Sequence, residues 1–403
     1  MAMSMDPRRF ALVAAEWFDG EQRHADGPTT FTVVDGRLDS ISRGDRAAEL
    51  ANQGWPVQRT PFLMPGLVDA HVHLFLDGAP TDMALRSAHL KQAVPDLTEA
   101  ARRSARQALA CGVTGVRDAG DRHGINNRVR EEARGPASGM AQVRSGGSGI
   151  KRAKRYGAFM ATDVEDEASI RNSVRELALS NDEIKLILTG IIDFDAGAVT
   201  DEPQFDLAAA SVVVEAAHAA DRKVFAHCSG AEGLAIAAAA GVDSIEHGFF
   251  MSREILAQMR DRQLAWTPTF CPVHFQWAEP QAVGWKAETV GKLRRILDSH
   301  AKHLRLAHEM GVPLLLGTDA GSMGVPHGRA VFDEIERFIE AGLPLQAALT
   351  AATAAPRRHF GASHPTLVAG APFDAVSLPA SPFDEHSALR RPQRVWSRGV
   401  VSA

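Results

Sequence analysis

One phrase repeats along the chain from Val113 onward: a helical stretch rich in alanine and leucine ends, and a short β-branched or apolar run follows. In several repeats a glycine, such as Gly112, Gly241 or Gly311, separates the two parts. Glycine after a helix is a stop signal, and a short apolar run after it is typical of a buried strand. The repeat therefore predicts βα units that build a parallel sheet.

The number of these units favours one architecture. The strand candidates start near Leu67, Val113, Gln142, Ile184, Val224, Ser244, Leu264 and Pro313. Eight units over about 300 residues predict an α/β fold with a (β/α)8 TIM barrel. A doubly wound open sheet is the alternative, but no glycine-rich phosphate loop follows an early strand.

The two ends of the chain differ from the middle. Both contain short strand-like segments, such as Phe31–Val34 before the turn at Asp35-Gly36 and Ala375–Leu378 near the other end. We therefore predict a small composite β-sandwich domain from residues 1–63 and 366–403. The barrel would span residues 64–365.

Composition excludes several classes of protein. Lys plus Arg is 44 and Asp plus Glu is 49, a net charge of −5, so global charge gives no argument for nucleic-acid binding. No stretch reaches the 18 apolar residues that a membrane span needs. The three cysteines, Cys111, Cys228 and Cys271, form no CxxC pair and fit a reducing compartment. We expect a cytoplasmic protein that binds neither nucleic acid nor membrane.

The strongest local signal is the run Met64–Leu74, which contains His71 and His73. Period-two alternation puts both imidazoles on one face of an apolar strand. Two neighbouring imidazoles at a strand end suit zinc and similar ions. The alternative is a chance pair on a surface strand, but the flanking residues are apolar and unpartnered buried histidines are costly.

Further polar residues occupy other strands. Lys185 lies inside a buried strand, where it must be paired or modified, and a barrel salt bridge is its structural alternative. His227, His247 and Asp319 each end a strand. Barrel active sites lie at the C-terminal ends of the strands, and core packing does not explain such a set.

These residues together resemble the amidohydrolase superfamily over nearly the whole chain. The run Pro-Gly-x-x-Asp-x-His-x-His at 65–73, the strand lysine, the two later histidines and Gly-Thr-Asp-Ala-Gly at 317–321 match its ligands in order. Ser-Ile-Glu-His-Gly at 244–248 and His-Gly-Arg at 327–329 resemble its prolidase-like and imidazolonepropionase-like branch. The resemblance also implies the terminal β-sandwich.

The resemblance implies a role for each residue. Two divalent metal ions, zinc above all, would be held by His71, His73, His227, His247 and Asp319, with carbamylated Lys185 as the bridge. Burial lowers the pKa of a lysine and supplies the neutral amine that carbamylation needs. A metal-bridging hydroxide would attack the substrate carbonyl, and Asp319 would be the catalytic proton shuttle.

Other residues are less strongly indicated. Asp69 shares the face of the histidine pair, either near the metal or as an anchor for a turn. Glu246 has the opposite parity to His247 and is expected to face the helix layer. His327 and His274 follow late strands and are candidate substrate contacts, although either could belong to a helix start.

One loop departs from the superfamily pattern. Where relatives often carry a Gly-Gly-His loop after the third strand, this chain continues from Ser145 through a basic run to Gly157. Either this is a solvated face, or Arg152 or Arg155 binds a substrate carboxylate.

The resulting hypothesis is a binuclear hydrolase of an amide-type bond, acting on a small molecule such as a dipeptide or an N-acyl amino acid. The alternative is a mononuclear hydrolase or deaminase of a cyclic amide or heterocycle, with Lys185 structural. A non-catalytic protein would be expected to lack ligands, and every ligand position is filled. Homo-oligomers are common in the family, so we expect one here.

Overall fold

The computed structural model describes residues 9–135 and 137–402. The part of the predicted terminal domain that falls on residues 1–8 lies outside this range. None of the described helices combines the length and the apolar character that crossing a membrane requires.

Strands and helices alternate through the middle of the chain. The strands are β1 (Arg9–Phe18), β2 (Arg23–His24), β3 (Thr29–Val34), β4 (Arg37–Arg43), β5 (Val57–Pro65), β6 (Leu67–Val72), β7 (Val113–Asp118), β8 (Gln142–Ser145), β9 (Gly149–Arg152), β10 (Ala161–Val164), β11 (Glu183–Ile187), β12 (Lys223–Cys228), β13 (Ser244–His247), β14 (Ala265–Thr267), β15 (Ala375–Leu378), β16 (Arg394–Ser397) and β17 (Val400–Val401). The helices are α1 (Ala47–Asn52), α2 (Met83–Leu90), α3 (Val94–Ala110), α4 (Ile125–Ala133), α5 (Glu167–Ala178), α6 (Leu207–Ala219), α7 (Ala231–Ala240), α8 (Arg253–Arg262), α9 (Phe270–Ala278), α10 (Pro280–Val283), α11 (Ala287–Met310), α12 (Ala330–Glu340), α13 (Leu345–Ala351) and α14 (Ala354–His359), with a 3-10 turn at His386–Arg390.

Both ends of the chain contribute to one β-domain, as predicted. Its described strands form a connected eight-stranded sheet in the order β17-β16-β15-β5-β1-β3-β4, with β2 on β1. Strand β5 runs parallel to β1 and antiparallel to β15, so it joins the two terminal segments. A separate core that includes Phe31, Phe373 and Trp396 packs inside this domain. The exact domain boundaries at residues 63 and 366 stay a prediction.

The middle of the chain forms the predicted parallel barrel. Strands β6, β7 and β8 pair in one run, and β10, β9, β11, β12, β13 and β14 pair in another. The last barrel segment pairs only through single bridges, from Leu314 to Trp266 of β14 and from Ala320 to Val72 of β6. The eighth strand is thus an irregular segment that connects the last strand to the first. Strands β9 and β10 were not predicted.

The glycines between helix and strand have the expected conformation. Gly241 ends α7 with φ 80° and Gly311 ends α11 with φ 79°, both in the left-handed region. Glycine adopts this conformation without the steric cost that a Cβ brings. These turns return the chain to the barrel, so each strand presents its C-terminal end at the same side.

Candidate active site

The histidine pair lies at the end of β6 and faces the barrel interior. His71 and His73 are 1% and 6% exposed. Oδ1 of Asp319 lies 3.8 Å from Nε2 of His71 and 3.6 Å from Nε2 of His73. Three potential donor atoms, one from each residue, lie within 4.8 Å of one another. This spacing fits one metal ion between two imidazoles and a carboxylate.

A second group of predicted residues adjoins the first. The imidazole of His227 lies beside that of His247, with the ring centroids 4.5 Å apart. The ring centroid of His247 lies 4.9 Å from that of His71. A cavity of about 210 Å³ is lined by five of the six predicted ligands, all except His71. The structure therefore brings the six residues together at one end of the barrel.

Two buried nitrogens of this cluster lack hydrogen-bond partners among the described residues: Nζ of Lys185 and Nε2 of His247. Unpaired buried polar atoms are rare, because each loses its hydration without compensation. Nδ1 of His71 lies 2.6 Å from a carboxylate oxygen of Glu246, and Nδ1 of His73 lies 3.2 Å from the carbonyl of Gly120. Since both partners accept, Nδ1 carries the proton and Nε2 offers a lone pair. The residues present therefore fit a metal centre.

Burial sets the protonation of the cluster. It is the main cause that lowers the pKa of His73 and of His227 to about 3, and it also lowers the pKa of His247 well below the usual value. Burial lowers the pKa of Lys185 to about 8 and raises the pKa of Asp319 to about 7. Neutral imidazoles are the form that binds metal ions.

Two of these residues have an uncommon backbone. His247 has φ 68° and Asp319 has φ 57°, which places both in the left-handed region. A residue with a side chain costs about 1–3 kcal/mol there, and such residues concentrate at active sites. The conformation turns both side chains into the cavity at the point where each strand ends.

Glu246 corrects one prediction. It does not face the helix layer but is fully buried inside the barrel, below His71. The left-handed residue at position 247 breaks the strand alternation on which the prediction depended. Arg117, which the sequence analysis did not single out, is also fully buried and donates from Nη2 to Glu246 at 2.7 Å. A charged residue at the end of the buried run Val113–Arg117 was the available signal.

Arg117, Glu246 and His71 form a chain of contacts that orients the imidazole of His71, a candidate metal ligand. Nε of Arg117 also donates to the carbonyl of Ala70, next to His71, at 2.7 Å. A carboxylate on the far nitrogen of a ligating histidine fixes its tautomer and makes it a better ligand. Glu246→Gln is therefore expected to weaken metal affinity by about 10–100-fold. Competition with a chromophoric chelator measures this affinity.

The control for this variant is Glu334→Gln. Glu334 is equally buried, but it accepts from the backbone nitrogens of Phe270 and Cys271. This control should leave metal affinity unchanged. Equal affinities of wild-type protein and Glu246→Gln would contradict the orienting role.

Asp69 anchors the irregular last strand. Its carboxylate accepts from the backbone nitrogen of Thr318 at 2.9 Å and from the Thr318 hydroxyl at 2.6 Å. Thr318 immediately precedes Asp319. The backbone nitrogen of His71 also donates to Oδ1 of Asp69 at 3.3 Å, so Asp69 both anchors the turn and adjoins the candidate metal ligands.

The basic loop reaches the cavity through Tyr156, but neither of its two candidate arginines lines the cavity wall. The guanidinium of Arg152 donates to the backbone carbonyls of Gln204 and Glu165 and lies 4.7 Å over the ring of Phe205. The guanidinium of Arg155 donates to the carbonyl of Glu202. Both side chains thus already have partners away from the predicted metal ligands.

The two other candidate substrate contacts also lie beside the cavity rather than on its wall. Nε2 of His327 lies 3.1 Å from the carbonyl of Leu76, in a neighbouring cleft against α3. His274 lies in α9, where its Nε2 accepts from Arg337.

Sequence reasoning missed the apolar part of the cavity. Its wall includes the rings of Tyr156, Phe159, Phe194 and Phe249, together with Ile191 and other aliphatic residues. These side chains come from loops after several strands and from no recognisable motif. In the folded barrel these side chains lie together around the cavity, and the sequence alone does not indicate this proximity.

Comparisons with known proteins show the family to which the chain belongs. Residues 62–401 match the model of the amidohydrolase family. An uncharacterized protein of Mycobacterium bovis is 28% identical over 373 residues, which cover 91% of this chain and 90% of that protein. The ochratoxinase of Aspergillus niger is 26% identical over 376 residues, which cover 85% of this chain and 76% of that enzyme.

A solved structure has the same fold. A Xaa-Pro dipeptidase with bound methionine in its active site superimposes with a TM-score of 0.84 at 23% identity, over 98% of this chain and 99% of the other.

Proposed function

Because the chain belongs to the amidohydrolase family and is an enzyme that hydrolyses carbon–nitrogen bonds, we propose that it uses two metal ions to hydrolyse an amide bond in a small molecule. The observation that carries the proposal is the cluster of His71, His73, His227, His247 and Asp319 near a buried Lys185, whose Nζ has no hydrogen-bond partner among the described residues.

The donor set supports two ions rather than one. His71, His73 and Asp319 already provide one complete group. His227 and His247 lie beyond it, and Nε2 of His247 has no other partner among the described residues. Lys185 lines the same cavity and would bridge the two ions as a carbamate. Zinc suits these nitrogen and oxygen ligands, and two such ions would polarise a carbonyl oxygen and lower the pKa of water.

The low pKa of Lys185 supports its modification. With a pKa of about 8, roughly one tenth of the amine is neutral at pH 7. At the ordinary value of 10.5 the neutral fraction would be about 300-fold smaller. Carbon dioxide reacts with the neutral amine, and the carbamate is an anionic ligand in place of a cation.

Asp319 is the proposed proton carrier. Its Oδ1 lies at the centre of the histidine pair, and burial raises its pKa to about 7. A carboxyl group with a pKa near the working pH can accept a proton from the attacking water and return it to the leaving nitrogen.

The candidate substrates of this reaction are small amides. The sequence predicts a dipeptide or an N-acyl amino acid, and one structural relative is a Xaa-Pro dipeptidase. We propose an assay of zinc-loaded protein against mixed dipeptides, N-acyl amino acids and uncharged amides, with the newly released amine, primary or secondary, as the readout.

Metal content should be measured on the same preparation. Amine release together with two ions per chain is the expected result. Full turnover with one ion per chain would contradict the binuclear proposal and favour the mononuclear alternative. A two-metal preparation that releases amine from no amide would overturn the proposed reaction.

A further inference from the structure

The cavity beside the metal ligands is apolar and almost uncharged. Among the described residues that line it, only Lys185 and Asp319 carry a formal charge, and the proposed function uses both. The polar atoms that remain are the hydroxyls of Tyr156, Ser229, Thr269 and Ser322. Apart from the proposed metal ions, the described wall of this cavity therefore offers a substrate no free side-chain cation.

Aromatic rings lie next to two of the candidate metal ligands, His73 and His227. The ring of Phe159 lies 6.4 Å from the ring of His73, and the ring of Tyr156 lies 5.3 Å from the ring of His227. Phe249 also lines the cavity, and its ring is held in place by stacking on His300 at 3.9 Å. A group attached to the scissile carbonyl or nitrogen would thus contact aromatic surfaces.

The neighbouring cations are already engaged. The guanidinium of Arg86 donates to the backbone carbonyls of Asp77 and Gly321 at 2.8 and 3.0 Å, in an adjoining cavity. Nζ of Lys151 contacts Asp163 at 2.5 Å. Arg152 and Arg155 are bound to backbone carbonyls, as described above. Away from the proposed metal ions, a carboxylate in the main cavity would find no side-chain cation among the described lining residues except Lys185, which the proposed function uses, so its burial there is unfavourable.

We propose that the substrate of this site is an uncharged amide that carries an aromatic ring beside the scissile bond and no carboxylate. The inference rests on the proposed function and replaces the dipeptide and N-acyl amino acid classes. The cavity volume of about 210 Å³ agrees with it, because an apolar cavity of about 150 Å³ already binds benzene. Aromatic rings also pack favourably edge to face on a wall of this kind.

The first experiment compares two substrates that differ only at one group. N-benzoylglycine has a carboxylate where N-benzoylethylamine has a methyl group, and both release benzoate. For zinc-loaded wild-type protein, kcat/KM for N-benzoylethylamine should exceed that for N-benzoylglycine by about 100-fold or more. Equal values, or a preference for N-benzoylglycine, would overturn the proposal.

A variant at the cavity mouth tests the cause. Ile191 lines the cavity and is 58% exposed, so a long cation can be placed there without burial. Ile191→Arg should shift the ratio of kcat/KM toward N-benzoylglycine by at least about 10-fold. The matched control is Leu179→Arg, on an exposed position at the end of α5, which should leave the ratio unchanged. An unchanged ratio in Ile191→Arg would contradict the charge argument.

A binding measurement separates this inference from the reaction itself. N-ethylbenzenesulfonamide and N-(phenylsulfonyl)glycine resemble the two amides but are not cleaved. Calorimetry should show tighter binding of the uncharged sulfonamide. If neither amide is hydrolysed and this preference holds, the proposed function fails while the ligand class stands. Tighter binding of the carboxylate would overturn the ligand class.

Discussion

Replacing Lys185 by alanine is expected to lower kcat/KM for any amide substrate by at least about 10³-fold. The residue is buried, lines the cavity with both groups of ligands, and has no other hydrogen-bond partner among the described residues. Loss of the proposed bridge would remove about 4 kcal/mol of transition-state stabilisation, which corresponds to this factor. Steady-state kinetics together with metal analysis measure the effect.

Small carboxylic acids distinguish the bridge from a packing role. In Lys185→Ala, acetate or propionate can enter the space that the side chain leaves and supply a carboxylate in place of the carbamate. We expect these acids to raise kcat of this variant by about 10-fold or more. Lys185→Met is the matched control, because methionine fills the space and leaves no room for the acid. Full activity of either variant would refute the bridging role.

Asp319→Asn is expected to lower kcat by about 10²–10⁴-fold. The substitution keeps the shape of the side chain and one oxygen but removes the group that exchanges a proton. The change should appear in kcat more than in KM, because proton transfer occurs in the transition state and not on binding. Metal analysis of the same sample shows whether ligation or proton transfer is lost.

The matched control for this variant is Asp77→Asn. Asp77 is exposed and accepts from the backbone nitrogen of Ala79, so it shares the residue type but not the position. Its kcat should equal that of wild-type protein. A fully active Asp319→Asn would remove Asp319 from the reaction.

The barrel was predictable because local signals and tertiary structure agree. Predicted strand starts at Leu67, Val113, Gln142 and Ser244 coincide with the observed ones, since glycine stops and apolar runs mark them. The meeting of the candidate metal ligands at one place was predictable for the same reason. Parallel strands bring their C-terminal ends to one side, so residues far apart in sequence meet there.

The positions of Glu246 and of the basic arginines could not be predicted, because they depend on tertiary contacts that leave no periodic pattern in the sequence. Glu246 was placed on the wrong face because strand alternation fails where His247 adopts a left-handed backbone. The basic loop does reach the cavity through Tyr156, but the expected contact of Arg152 or Arg155 with the substrate is not seen in the cavity wall. The direction of Arg152 is instead set by the backbone carbonyls of Gln204 and Glu165, which belong to distant segments.

The pairing of β5 with β15 has a consequence for synthesis of the chain. Strand β5 leads directly into the histidine pair of β6, yet its antiparallel neighbour follows almost at the end of the sequence, with Pro65 opposite Ala375. At about 5–20 residues per second, a ribosome needs roughly 15–60 s to travel between them. For that time one edge of β5 lacks its native partner on the nascent chain. An open strand edge of this kind can pair with another chain, so we expect the nascent terminal β-domain to be prone to aggregation until β15 has been synthesised.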